Sequence, residues 1–117
     1  MELTQRTAGD VAILDVKGRL VLGDGDDTFI RAINRLVQAG MTKVLLNLQE
    51  MTYIDSAGLG VLVSKYITLR NRGGNLKVCN LHSKGFEVLT VTRLTTVFES
   101  FDSEADAIAS FTASNAP

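Results

Sequence analysis

The chain has 117 residues and a mass of 12.7 kDa, enough for one folded core and too short for two. Hydrophobic residues make up 45% and charged residues 21%, with 10 Gly and 1 Pro, which excludes a disordered, collagenous or low-complexity chain. A net charge of -1 supplies no global positive field to hold a phosphate backbone, so nucleic acid is excluded as a first expectation.

The opening residues alternate apolar and polar positions, with Val11, Ile13 and Val16 apolar and Gly9-Asp10 offering a turn, so a β-hairpin begins the chain. Gly23-Asp24-Gly25-Asp26-Asp27 supplies turn and cap residues before Phe29, Ile30, Ile33, Leu36 and Val37, whose spacing is a helix stripe ending at Gly40. Val44-Leu45-Leu46-Asn47-Leu48 is a short apolar run, the pattern of a central strand covered on both faces. A second helical stripe follows Ile54-Asp55-Ser56 at Leu59, Leu62, Val63, Tyr66, Ile67 and Leu69 and stops at Gly73-Gly74. A strand is predicted over 76–81, a weaker helix over 83–92 carrying Phe86, Val88 and Leu89, and an extended piece over 97–101. Asp102-Ser103 caps a last helix that buries Ala105, Ile108, Ala109 and Phe111, and residues 113–117 read as a flexible tail. Helices alternating with single strands after a hairpin give one α/β domain over 1–117, with a mixed β-sheet and about four helices.

A single cysteine, Cys79, excludes an internal disulfide, and with the lone His82 it cannot build a structural zinc site, so no metal is expected. The N-terminus lacks a signal-peptide apolar core and no apolar run reaches spanning length, which points to a cytoplasmic protein without membrane insertion. Charge is uneven along the chain. Lys65, Arg70, Arg72, Lys77, Lys84 and Arg93 face Glu87 alone in one stretch, whereas residues 99–117 carry acids and no base; two solvated faces, facing each other, or a protein-docking surface both fit.

Asp55-Ser56-Ala57-Gly58-Leu59-Gly60 is the stretch where chemistry concentrates. Two glycines at a helix start cost about 1 kcal/mol each relative to Ala, a conflict expected where another backbone or a ligand must approach closely. Ser56 reads as the N-cap, and the same helix end favours an added phosphate, because unpaired N–H groups and the helix dipole both stabilise negative charge. A phosphate there would add about -1.5 to -2 charges to a surface built from Leu59 and bare glycine backbone. The hydrolase ingredients Asp55, Ser56 and His82 are present, but Ile54 stands where a nucleophile elbow needs glycine. Gly23-Asp24-Gly25 and Gly58-Leu59-Gly60 are fragments of a dinucleotide fingerprint, there is no phosphate loop, and Asp24, Asp26 and Asp27 lack calcium-loop spacing. Neither an enzyme nor a cofactor is expected.

Over nearly its whole length the sequence resembles the STAS domains of bacterial anti-sigma factor antagonists. Gly18-Arg19-Leu20, Tyr53-Ile54-Asp55-Ser56-Ala57-Gly58-Leu59-Gly60, Arg70-Asn71-Arg72-Gly73-Gly74, and Leu89 to Leu94 followed by Val97-Phe98-Glu99 carry the likeness. The resemblance implies a switch: Ser56 is phosphorylated by an anti-sigma factor that is itself a serine kinase. The unphosphorylated form binds that kinase and frees a sigma factor, and a PP2C-type phosphatase restores it. Asp24, Asp55, Ala57, Gly58, Leu59 and Gly60 are then the partner-binding residues; with no long exposed apolar edge evident in the sequence, a monomer is expected between partnerships. Val21 and Asn47 stand where relatives often carry acids near the expected partner surface, and Ala57 replaces a frequent second hydroxyl. The alternative is a STAS subunit of a larger assembly, a stress-sensing complex or a lipid-transport system, without a phospho-switch.

Overall fold

In the computed structural model, residues 1–81 and 88–113 are described. The hairpin forms as the alternation predicts: β1 (Glu2–Ala8) turns at Gly9-Asp10 into β2 (Val11–Leu20), with Ala8 opposite Val11. Helix α1 (Asp26–Gln38) follows, then β3 (Lys43–Ile54), α2 (Ser56–Asn71), β4 (Asn75–Cys79), α3 (Val88–Val97), β5 (Ser100–Phe101) and α4 (Glu104–Ala113). The five strands lie in the order β1-β2-β3-β4-β5. The first pair is antiparallel and the rest are parallel, so the sheet is mixed and β3 is central.

The sheet separates two apolar layers. On one face Ala12, Leu14, Val16, Leu20, Val44, Leu46 and Leu48 pack with Phe29, Ile33 and Leu36 of α1, Leu62 and Leu69 of α2 and Leu94 of α3. Tyr66 meets Phe98 edge-on in the same layer, ring centroids 5.3 Å apart. On the other face Val11, Ile13, Leu45 and Cys79 are covered by Ala107 and Phe111 of α4. The first half of β3 is therefore buried on both sides, as its continuous apolar run requires.

Several boundaries and faces differ from the sequence expectation. β3 runs on to Ile54, because its second half pairs with β2 across register shifts between Asp15 and Lys17 and between Gly18 and Arg19. Residues 83–87 of the weaker predicted helix, and His82, lie outside the described residues. The helix there continues to Val97 rather than stopping at Thr92, leaving only Ser100–Phe101 extended. Ile67 of the α2 stripe is exposed, and in α4 Ala107 and Phe111 are buried while Ala105 and Ala109 face outward. Ala113 closes α4 instead of beginning a tail, and residues 114–117 lie outside the described residues. The charge-rich stretches meet in part, since Lys77 lies 3.5 Å from Glu99.

Candidate functional site

The sequence leads to the N-terminal end of α2, and the structure gives that end a different cap. Asp55, in extended backbone geometry, is the N-cap: its Oδ1 accepts a hydrogen bond from the Gly58 amide at 2.8 Å. Ser56 is the first helical residue, not the cap. Both residue types cap well, and the carboxylate wins because it also accepts a bond from the Leu22 amide at 3.2 Å. The Asp55 backbone amide in turn donates to the Leu20 carbonyl at 3.3 Å. One aspartate thus joins the end of β2, the turn after it and the first turn of α2. The Gly58 amide, followed by those of Leu22 and Ala57, holds the Asp55 carboxyl below the usual carboxylate range, so it is ionised at neutral pH.

Relieved of capping, Ser56 is exposed, and no hydrogen bond to its hydroxyl is found among the described residues. Gly58 is buried. A Cβ there would collide with the Leu20 carbonyl oxygen and lie 3.0 Å from Ile54 Cγ1, so this glycine lets α2 close on β2. Its place in this structure is thus a packing position between α2 and β2. Gly60 is the opposite case: exposed, with nothing within 4 Å of an added Cβ. Ala57 and Leu59 are half-buried, and Leu59 packs against the larger core.

Two exposed apolar residues not picked out by sequence reasoning flank this helix end. Leu22 is 75% exposed at the tip of a tight turn closed by Val21 and Asp24, whose backbones exchange hydrogen bonds of 3.1 and 3.0 Å. Tyr53 is 53% exposed, beside Arg19 in the β2–β3 register. The signal for Leu22 was its place in a Gly-Asp-rich turn, and for Tyr53 its position in the Tyr-Ile-Asp-Ser motif. Asp24 stands at the base of the same turn, with its carboxylate 3.1 Å from the Met1 amine. Val21 is part of this turn, but Asn47 is not near it. The whole of Leu48 to Ile54 separates Asn47 from Asp55 along β3, and Asn47 is bonded instead to Asp15 and Asn80 at 2.9 Å each. Among the described residues no group of His, Cys, Asp and Glu could hold a metal ion, and no helix is long and apolar enough to cross a membrane.

Comparison with known proteins gives this geometry its relatives. The family model for the STAS domain matches residues 2–107. The anti-sigma F factor antagonist of Paenibacillus polymyxa is 28% identical over 65 residues, 56% of each chain. The anti-sigma-B factor antagonist of Listeria monocytogenes is 35% identical over 54 residues, 46% of this chain and 47% of that one. The matched stretches thus span about half the length of these curated relatives. The fold superposes on the anti-sigma factor antagonist SpoIIAA solved in its unphosphorylated form, with a TM-score of 0.74 at 11% identity, covering 96% of this chain and 98% of that one. It also matches the Bacillus SpoIIAA in the phosphorylated form, with a TM-score of 0.68 at 16% identity over 93% and 98% of the chains. With the signature helix end in place and the family model matched across both apolar layers, the chain belongs to the STAS domain family.

Proposed function

We propose that this protein is an anti-sigma factor antagonist: a cytoplasmic binding module without catalytic activity, switched by phosphorylation of Ser56. Unphosphorylated, it binds an anti-sigma factor that is a serine kinase and thereby frees a sigma factor; a PP2C-type phosphatase resets it. Between partnerships it is a monomer. The names of the curated relatives support the assignment, and one observation carries the mechanism. Asp55 takes the capping role, which leaves Ser56 exposed in the first turn of α2, the helix end where Leu22, Tyr53 and Gly60 are exposed as well.

A phosphate on Ser56 gains from the helix dipole yet stands beside the ionised Asp55 carboxylate. It therefore adds a concentrated charge beside the exposed apolar Leu22 and Tyr53, and a partner burying those two would have to desolvate it. Without the phosphate the same surface offers two exposed anchors and close backbone approach at Gly60.

Peptide mass spectrometry of the protein from its own cells, under growth and under stress, tests the switch. Ser56 phosphate is expected with an occupancy that changes between conditions, while a constantly unmodified Ser56 would favour the assembly-subunit role. In binding assays with the kinase partner, Ser56→Ala should bind constitutively and Ser56→Asp poorly. Leu22→Ser and Tyr53→Ser should each weaken binding by at least about tenfold, a loss of roughly 1.4 kcal/mol, with stability changed by no more than about 0.5 kcal/mol.

A further inference from the structure

The face of the sheet opposite α2 has a construction the proposed switch does not use. Helix α4 covers Val11, Ile13, Leu45 and Cys79 with the buried Ala107 and Phe111 and the half-buried Ile108. Polar contacts near its two ends supplement that apolar contact. At the first turn, Arg6 of β1 reaches both carboxylate oxygens of Glu104, Nη2 2.5 Å from Oε1 and Nη1 3.2 Å from Oε2, while its Nε and Nη2 hold Asp15 at 2.6 and 2.7 Å. Toward the other end, Lys77 of β4 extends beneath the helix, its Nζ 2.9 Å from Ser110 Oγ and 3.5 Å from Glu99. The same Nζ lies 4.6 Å from the Phe111 ring centroid and 5.8 Å from that of Phe101. Lys77 is only 1% exposed.

These contacts oppose one another energetically. The Arg6–Glu104 pair is bidentate but partly exposed, so it holds the helix end and salt weakens it. Lys77 keeps an amine under the helix at a desolvation cost that the rings, Ser110 and Glu99 offset. Release of α4 restores water to that amine, so the loss of apolar burial is partly compensated on opening.

We infer that α4 is a detachable cap, which undocks as a unit while the sheet and the α1–α2 layer stay folded, and which uncovers Cys79 when it does. Cys79 is the only cysteine and is fully buried under the closed helix, so its reaction with a thiol reagent reads the opening directly. Opening is favoured by salt, which weakens the Arg6–Glu104 clamp, and opposed by removing the buried amine.

The test labels the full chain with a maleimide or an aromatic disulfide at fixed pH. The opening constant from labelling is compared with the global unfolding constant from urea titration in the same buffer. Opening should exceed global unfolding by at least about tenfold, and the ratio should grow severalfold between low and molar sodium chloride. Glu104→Gln should raise the labelling rate severalfold, and Lys77→Met should lower it. Labelling at the global unfolding constant, with no change in the ratio on adding salt, would overturn the inference. So would a folded Lys77→Met that labels as fast as the parent, and the salt comparison on the parent protein stands whether or not that variant folds.

Discussion

Gly58 and Gly60 are indistinguishable as letters in one helix, and their neighbours make them opposite in kind. At Gly58 a methyl group would meet the Leu20 carbonyl oxygen, a backbone atom that cannot step aside without moving the β2 end. Gly58→Ala is therefore expected to destabilise by about 1–3 kcal/mol, an overpacking cost that exceeds the roughly 1 kcal/mol of helix propensity gained. At Gly60 the added methyl meets nothing, so Gly60→Ala should stabilise by about 0.5–1 kcal/mol while weakening partner binding. Urea denaturation of the two variants checks both signs. The adjacent pair Asp55 and Ser56 shows the same limit of a sequence. Asp and Ser rank equally as caps, and only the position of the Leu22 amide, a contact across the fold, decides between them. The hexapeptide that holds the site was legible; which residue positions and which one is presented was not.

At the scale of elements, periodicity succeeded where large side chains fix the phase. Phe29, Ile33 and Leu36 place the inward face of α1 without ambiguity, and all are buried. In α4 Ile108 and Phe111 set the covered side, but Ala105, Ala107 and Ala109 are too small to fix the phase between them, and it is Ala107 that is buried. The second half of β3 failed for another reason. The two register shifts against β2 break strict alternation, so Leu48, Met51 and Ile54, three residues apart, join one buried layer while Tyr53 is exposed. Within α2 the stripe over-reached by one residue, since Ile67 lies beyond the covered face. A paired measurement follows for that helix. Leu62→Ala should cost about 2–5 kcal/mol, because a fully buried side chain is replaced by a cavity, whereas Ile67→Ala should change stability by no more than about 0.5 kcal/mol. Thermal melts of both variants read the contrast, and equal losses would mean that α2 is rotated from the orientation described.

For the whole molecule, the ionisable groups that folding perturbs set the pH range of stability. On the acid side three carboxyls are held below their ordinary range: Asp10 by the Lys43 ammonium, Asp15 by the Arg6 guanidinium with Asn47, and Asp55 by the Gly58 amide. A depressed carboxyl contributes its full stability above the unfolded value of about 4 and loses it as pH falls further through the folded value. On the alkaline side the Cys79 thiol is pushed up to about 11, first by burial and then by the charges of Glu104 and Asp15. Its sign is opposite: the contribution is complete below the unfolded pKa near 8.5 and is lost as pH rises toward 11. Stability should therefore be level between about pH 5 and 8 and fall on both sides. Difference measurements isolate each group from the other residues that titrate at the extremes. The gap in unfolding free energy between the parent and Cys79→Ala should narrow by on the order of 2 kcal/mol between pH 8 and 11. The gap between the parent and Asp15→Asn should narrow instead as pH falls below about 4. A Cys79 gap that stays constant to pH 11 would mean that folding leaves the thiol's titration unchanged, against its burial under α4.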